Sequence, residues 1–272
     1  MPNRSNACDP SSPERAVIAE DLYLRRGAAD AAHRYEVNQS LGERDLAASL
    51  LAALELRPGE TAVDVCCGAG HHLVRFRDAV GSGGKALGFD FSESAVQAAR
   101  DRGVQAEVAD AASLPLADAS ADALSCSFGI YYLADLRAAF SEWKRVLKPG
   151  GRLVVCGPAR GTNAELYAFH TQATGKNASD ADLMALGYID ERVQPEVREL
   201  NFTDVECVDF VNPVHFENAE AFLDYWESTS LFARTPGATR AAGEAALGAQ
   251  DQPLRITKRV TILSARASRP AP

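Results

Sequence analysis

Three features of the chain's first third are spaced in a way that could do chemistry: Asp64, a small-residue turn from Gly68 to Gly70, and Asp90. The run Thr61-Ala-Val-Asp-Val-Cys-Cys-Gly-Ala-Gly70 reads as a short apolar strand that breaks into a turn, with a helix opening from Leu73 to Val80. Such a turn presents backbone N–H groups and a helix N-terminus to a polar ligand with no side chains in the way. Asp90 ends a second apolar run, Lys85-Ala-Leu-Gly-Phe-Asp90, twenty residues beyond Gly70. A doubly wound sheet places there the carboxylate that grips ribose hydroxyls. The pair points to a nucleoside cofactor.

The details of the turn discriminate between nucleosides. A dinucleotide site wants Gly-x-Gly-x-x-Gly, and Gly68-Ala-Gly-His-His-Leu73 lacks the third glycine. Asp64, on the strand just before the turn, would repel a pyrophosphate and suits a ligand carrying an ammonium group. S-adenosylmethionine is such a ligand, with an amino acid tail and no phosphate.

From these residues onward the chain resembles the class I S-adenosylmethionine-dependent methyltransferases. Asp64-Val-Cys-Cys-Gly-Ala-Gly70 is similar to that family's acidic, glycine-rich cofactor loop, with Cys66 in place of its first glycine. Gln105 to Ala111 resembles the strand whose acidic end, Asp110 with Ala111, contacts the adenine amino group. Ser120 to Phe128 resembles the fourth strand, whose end at Ser127 and Phe128 borders the sulfonium. Arg145 to Val155 resembles the helix end, tight turn and fifth strand that close the core. The likeness covers residues 35–157, and some quinone-modifying members share the Cys-Cys-Gly turn. It implies a cofactor set of Asp64, Cys66, Gly68, Gly70, Asp90, Phe91, Asp110, Ala111, Ser127 and Phe128.

Methyl transfer is an in-line displacement at a sulfonium, so alignment is the enzyme's main contribution, worth ~7–11 kcal/mol where the fit is good. A base adds ~10²–10⁴-fold where the acceptor must lose a proton. His170, in Leu166-Tyr-Ala-Phe-His-Thr-Gln172, is the candidate base, and His215 a weaker one. Tyr131 and Tyr132, just past the fourth strand, are candidates for the acceptor face, with Tyr23 and Tyr35 closing from the N-terminal side. Trp226, and Tyr225 beside it, are candidates for the roof. No metal site is expected: His71 and His72 are adjacent on a helix and point apart, and the six cysteines show no Cys-x-x-Cys spacing.

The elements that must position these groups alternate. Strands at 61–65, 85–89, 104–108, 123–128 and 152–156 are separated by helical patterns, which predicts an α/β, Rossmann-like, doubly wound sheet of seven strands. The sheet is expected to be mostly parallel, closed by an antiparallel C-terminal strand at Arg255–Leu263 beside one at Asp204–Val211, with helical lid insertions. Residues 1–14 read as a disordered leader, 15–56 as an N-terminal helical cap, 57–157 as the cofactor core, and 158–272 as the rest of the fold with its substrate lid. Ala219–Phe232 reads as one amphipathic helix, and the alanine- and glycine-rich stretch Thr235–Ala249 as mobile.

Composition narrows the partners. A net charge of −9 over 272 residues disfavours nucleic acid and favours a small neutral or cationic substrate. Lys258-Arg259 reads as an ordinary solvated face. With no apolar run of membrane length or signal core, the expectation is a cytoplasmic enzyme methylating oxygen or nitrogen of a small molecule, its oligomeric state open. A carbon methyltransferase on a quinone-like or other small aromatic or lipid substrate is the alternative, and a nicotinamide oxidoreductase a more distant one.

Overall fold

Seven strands make one sheet: β1 (Thr61–Val65), β2 (Lys85–Asp90), β3 (Gln105–Val108), β4 (Ala121–Ser127), β5 (Leu147–Pro158), β6 (Thr203–His215) and β7 (Arg255–Arg266). The computed structural model describes residues 33–248 and 254–268, so the expected leader, the start of the cap and Tyr23 lie outside the described residues. The strand order is β3-β2-β1-β4-β5-β7-β6. The strands β1 to β5 pair in parallel, and β7 runs antiparallel to both of its neighbours. The order reverses between β1 and β4, which opens a crevice beyond the carboxyl ends of those two strands.

The alternation of side chains along β1 explains the layering. Val63 and Val65 face a core built with Phe140 and Trp143 of the helix Leu136–Val146. Ala62 faces the other way, toward Leu50 and Leu54 of the helix Leu46–Leu54 and Leu73 and Phe76 of the helix His71–Val80. Apolar strands covered on both faces fit a mainly parallel sheet.

A third cluster packs against one end of β6 and β7, through Val214 and Ile256. Phe169, Phe222, Leu223 and Trp226 bury against one another in a helical roof made by Ala164–Thr174, Ala219–Glu227, Ser230–Arg234 and Arg240–Leu247. The single helix expected over Ala219–Phe232 is two. Ser228 Oγ donates to the Tyr225 carbonyl at 2.7 Å and Thr229 Oγ1 to the Trp226 carbonyl at 2.6 Å, so hydroxyls take over the last turn. Thr229 then caps the next helix by accepting from Phe232 N. Within the stretch expected to be mobile, Arg240–Leu247 forms a helix capped by Thr239. Gly243 carries this correction: a Cβ there would sit 2.6 Å from Trp226 Cζ3, so its lack of a side chain lets the two helices touch.

Strand β6 runs four residues past the expected Val211 and includes Pro213. It lies at the sheet's edge, where a missing N–H removes no ladder bond. The segment after helical residues 33–40 lies against that edge, with Gly42 bridging to Val214 and Glu43 N donating to the Pro213 carbonyl at 3.1 Å.

Candidate functional site

The turn after β1 is shaped by three left-handed residues, Cys66 (φ 57°), Gly68 (φ 52°) and Gly70 (φ 78°). Glycine adopts this region freely; Cys66 does so at a cost of about 1 kcal/mol or more. Gly70 has a second reason to be glycine, because a Cβ would meet Ala99 Cβ at 2.9 Å. That close approach is the packing duty a third glycine serves in a dinucleotide turn. Leu73, at the third-glycine position, is instead fully buried in the core.

Asp90 ties the loop to β2. Its Oδ2 accepts from Gly68 N at 2.9 Å, and its Oδ1 from Ser92 N at 3.0 Å. Burial pushes its carboxyl above the usual carboxylate range, against the pull of those N–H groups. Asp90 borders the cleft beside Phe91 and Val108, which are 40% and 53% exposed although large and apolar. Asp110 and Ala111 continue this wall; Asp110 Oδ1 accepts from Ala112 N at 2.8 Å, and the Ala111 carbonyl from Trp143 Nε1 at 2.9 Å. A carboxylate at one end and an exposed apolar face at the other fit a ribose and a purine, and the turn of small residues fits an amino acid tail.

The two cysteines of the turn are matched by glycines across from them. A Cβ on Gly129 would lie 2.2 Å from Cys66 Cβ and 2.8 Å from Cys66 Sγ. A Cβ on Gly88 would lie 2.8 Å from Cys67 Sγ. The thiols therefore occupy volume that the facing strands leave empty. Burial raises the Cys67 thiol far out of the reactive range, consistent with packing rather than nucleophilic chemistry.

Beyond β4, Ser127, Phe128 (φ 57°) and Gly129 lead into the 3₁₀ turn Ile130–Tyr132. Both Tyr131 and Tyr132 border the cleft, their rings 4.7 Å apart. Tyr35 approaches from the N-terminal helix, stacked on His71 at 4.3 Å and edge-on to His72 at 5.4 Å. Burial lowers the His72 imidazole to about 4, so it is neutral at physiological pH.

Asp64 sits behind this wall rather than on it. It is 1% exposed, and its Oδ1 accepts from Ser125 Oγ at 2.5 Å. Burial first, and the neighbouring Asp90 second, raise its carboxyl to about 7. A cation in the cleft would act on it through the protein, not by direct contact.

His170 and Trp226 are not brought to the cleft. His170 is inaccessible, its Nδ1 accepting from Trp226 Nε1 at 3.0 Å and its Nε2 lying 3.1 Å from Thr235 Oγ1. With Nδ1 an acceptor, the neutral ring carries its proton on Nε2 and offers no free lone pair to a substrate. Burial also lowers its pKa. The expectation of a base fails here because the apolar face of Ala164–Thr174 turns into the roof's own core. Trp226 is fully buried for the same reason, and its neighbour Tyr225 reaches the cleft instead. His215 pairs with Glu43 at 2.8 Å on the surface. Lys258, expected to be solvated, lines the cleft with Asn212 and Arg44, three residues that the sequence reading did not place in a site. Strand alternation does put Lys258 and Val260 on one face, but not which face is covered.

The whole cleft has a volume of about 830 Å³, near the top of the ~300–1,000 Å³ spanned by single-ligand sites. It runs without a break from the cofactor loop to the roof.

This is the geometry of a doubly wound nucleoside-binding fold with its site at the switch point. Residues 63–155 match the family model described as a methyltransferase domain. A demethylmenaquinone methyltransferase of a Mycobacterium species is 38% identical over 161 residues, covering 56% of this chain and 69% of that protein. One from Staphylococcus epidermidis is 36% identical over 112 residues, 39% of this chain and 46% of that protein. A crystal structure of an S-adenosylmethionine-dependent methyltransferase from Aquifex aeolicus has a TM-score of 0.51 at 17% identity, covering 85% of this chain and 92% of that one, a likeness of fold. The chain belongs to the class I S-adenosylmethionine-dependent methyltransferases. It spans less than half the length of the first curated relatives it matches, 41% and 46%.

Proposed function

We propose that this chain transfers a methyl group from S-adenosylmethionine to an oxygen or nitrogen of a small molecule. The observation that carries the reading is Asp90, buried at the tip of β2 with one oxygen anchoring the loop at Gly68 N and the other held by Ser92 N, on the wall of a cleft that continues under the roof. Asp90 would hold the ribose, the Cys66–Gly70 turn the amino acid tail, Phe91 and Val108 the adenine, and Asp110 its exocyclic amine. Bound S-adenosylmethionine supplies an electrophilic methyl group on a sulfonium. Phe128, Tyr131 and Tyr132 would border that centre, their aromatic faces favouring a cation and excluding water.

The cleft-lining histidines, His71 and His72, open the helix that follows the cofactor loop, and none lines the roof side among the described residues. An acceptor that need not surrender a proton to a histidine before it attacks fits such a roof: a phenol acidic enough to be ionised near neutral pH, an aromatic amine, or an electron-rich ring carbon. The last is the second reading, a carbon methyltransferase on a quinone-like ring, favoured by the demethylmenaquinone methyltransferases among the relatives. Five free cysteines among the described residues fit a reducing, cytoplasmic setting. No helix among the described residues is long and apolar enough to cross a membrane, and a small-molecule rather than nucleic-acid partner fits the net charge.

Calorimetric titration with S-adenosylhomocysteine and NADH tests the class. The sulfur nucleoside is expected to bind, and Asp90→Ala to weaken it about 100-fold, the scale of two charge-assisted hydrogen bonds. Binding of NADH alone would sink the reading. Label from methyl-labelled cofactor, located in the product on a heteroatom or a ring carbon, separates the two acceptor classes.

A further inference from the structure

We propose that the roof half of the cleft is an anion site, which takes the carboxylate of a small organic acid with an aromatic or apolar body against Lys258 Nζ. This rests on the methyltransferase reading and names the class of its acceptor. It reverses the expectation of a neutral or cationic substrate drawn from the chain's net charge.

The charges bordering the cleft are segregated. Asp90 and Asp110 lie on the cofactor side, while Arg34, Arg44, Lys258 and Arg259 lie toward the roof. The one carboxylate on that side, Asp182, is already paired with Arg234. Among the described residues, no carboxylate lies within ion-pair distance of any of the four cations. A half-buried cation with no counter-ion is costly, and an anionic ligand removes the cost.

The four cations differ in how much they have left to give. Arg34 donates to the Ser228 carbonyl, which straps the N-terminal helix to the roof. Arg44 donates to the Val211 carbonyl at 3.2 Å and stacks over Phe210 at 4.5 Å. Arg259 is exposed at the rim. Lys258 is half-buried and donates to Tyr225 Oη, its Nζ 4.9 Å from that ring's centroid. An ammonium has three donors, and two of these have no acceptor among the described residues. Tyr225 Oη lies 3.5 Å from Asn38 Oδ1, so the phenol is itself held in place.

The strand partner of Lys258 sharpens the point. Asn212 stands opposite it on β6, where an aspartate would have neutralised it across the strands. The Asn212 amide is instead committed to the neighbouring segment, accepting from Arg44 N at 2.9 Å and donating to the Arg44 carbonyl at 3.0 Å. Phe210 and Val260, on the same strand faces as Asn212 and Lys258, give an apolar seat for the rest of the ligand. Lys258 is the half-buried cation of the four that no backbone carbonyl holds, and Arg259 stays exposed at the rim. A single half-buried monovalent charge matches a carboxylate, whereas a phosphate dianion calls for guanidinium forks converging on one point.

The test uses the full chain saturated with S-adenosylhomocysteine and matched probes of one shape: 1-naphthoate, 1-naphthamide, 1-naphthylmethylamine and 1-naphthyl phosphate. The carboxylate is expected to bind about 10-fold or more tightly than the amide, the scale of one charge-assisted contact. Lys258→Met should erase that preference while leaving S-adenosylhomocysteine affinity unchanged, which also reports that the variant is folded. Lys258→Arg should keep it. The proposal is overturned if the amide, amine or phosphate binds as well as the carboxylate, if no carboxylate binds, or if the preference survives Lys258→Met. The comparison of probes on the parent chain decides the matter even if the methionine variant does not fold. Failure of the parent chain to bind S-adenosylhomocysteine would overturn the methyltransferase reading instead.

Discussion

The cofactor wall and the roof meet across one cleft but are built by opposite means. The wall is backbone: three left-handed residues, two glycines that make room for cysteines, and a carboxylate holding N–H groups. The roof is side chain: Phe169, Phe222, Trp226 and Phe232 stack edge to face at centroid distances of 4.8 to 5.1 Å, with His170 as a buried polar pin. A wall of backbone suits a ligand that does not change. A roof of interlocking side chains can be altered residue by residue without disturbing the sheet, which is where an acceptor preference belongs.

The largest test of that separation is Trp226→Ala. Removing a fully buried indole costs about 3–5 kcal/mol, and here it also orphans His170 Nδ1. Thermal and denaturant unfolding should show that loss, and acceptor turnover should fall with it. Under native conditions S-adenosylhomocysteine affinity should stay within about threefold, because no residue of the wall touches the indole. A matching collapse of cofactor affinity would mean that the two regions form one unit.

The next test concerns the carboxylate buried behind the wall. With Asp64 raised to about 7 from 3.8 by burial, the native chain holds a proton that the unfolded chain has released across that interval. Stability of the ligand-free protein should therefore fall as pH rises from about 4 to 7, by at most about 4 kcal/mol. The buried, raised Asp90 acts in the same direction. Urea unfolding at pH 5 and pH 7 measures the slope, and Asp64→Asn, which keeps an acceptor for Ser125, should flatten it. An unchanged slope in that variant would assign it elsewhere.

The wall was legible in the sequence because its pieces are local. A strand, a small-residue turn, a helix and a carboxylate at the next strand's end declare themselves by residue type and spacing, and so did Tyr35, Tyr131 and Tyr132 as neighbours of the cleft. What the turn did not declare was why Cys66 is tolerated, since the answer is Gly129, 63 positions away in the chain. The roof was far less legible. Tyr225 and Trp226 are adjacent on a helix and point about 100° apart, so the choice between cleft and core depends on packing partners that no local pattern shows. Lys258 looked solvated for the same reason: alternation fixes its face, and only the tertiary fold covers that face. The alanine and glycine of 235–249 looked mobile, whereas Gly243 is small because Trp226 needs the space.

The cysteine–glycine match gives a smaller, reciprocal effect. Gly129→Ala alone should cost about 1–3 kcal/mol through overpacking against Cys66. Cys66→Gly empties that space and relaxes a left-handed residue, so the double variant should recover most of the loss. Denaturant midpoints of the four proteins close the cycle, and simple additivity would show that the two residues do not share volume.

The smallest effect is expected where the sequence pointed to the chemistry. If His170 were a general base, replacing it would lower kcat by ~10²–10⁴-fold and remove the acid limb of the pH–rate profile. In the fold its Nδ1 is spent on Trp226, its Nε2 faces Thr235, and burial keeps the ring neutral. His170→Gln preserves an acceptor and a donor on a side chain of similar reach. It should lower stability by about 1 kcal/mol, the worth of one imperfectly remade hydrogen bond, and leave both kcat and the acid limb in place. Loss of the limb with stability intact would return His170 to the reaction and break the division between wall and roof at its weakest seam. Retention of the limb makes the histidine a pin of the roof, and leaves the acceptor's own ionisation, set beside Lys258, as the group that the pH profile reports.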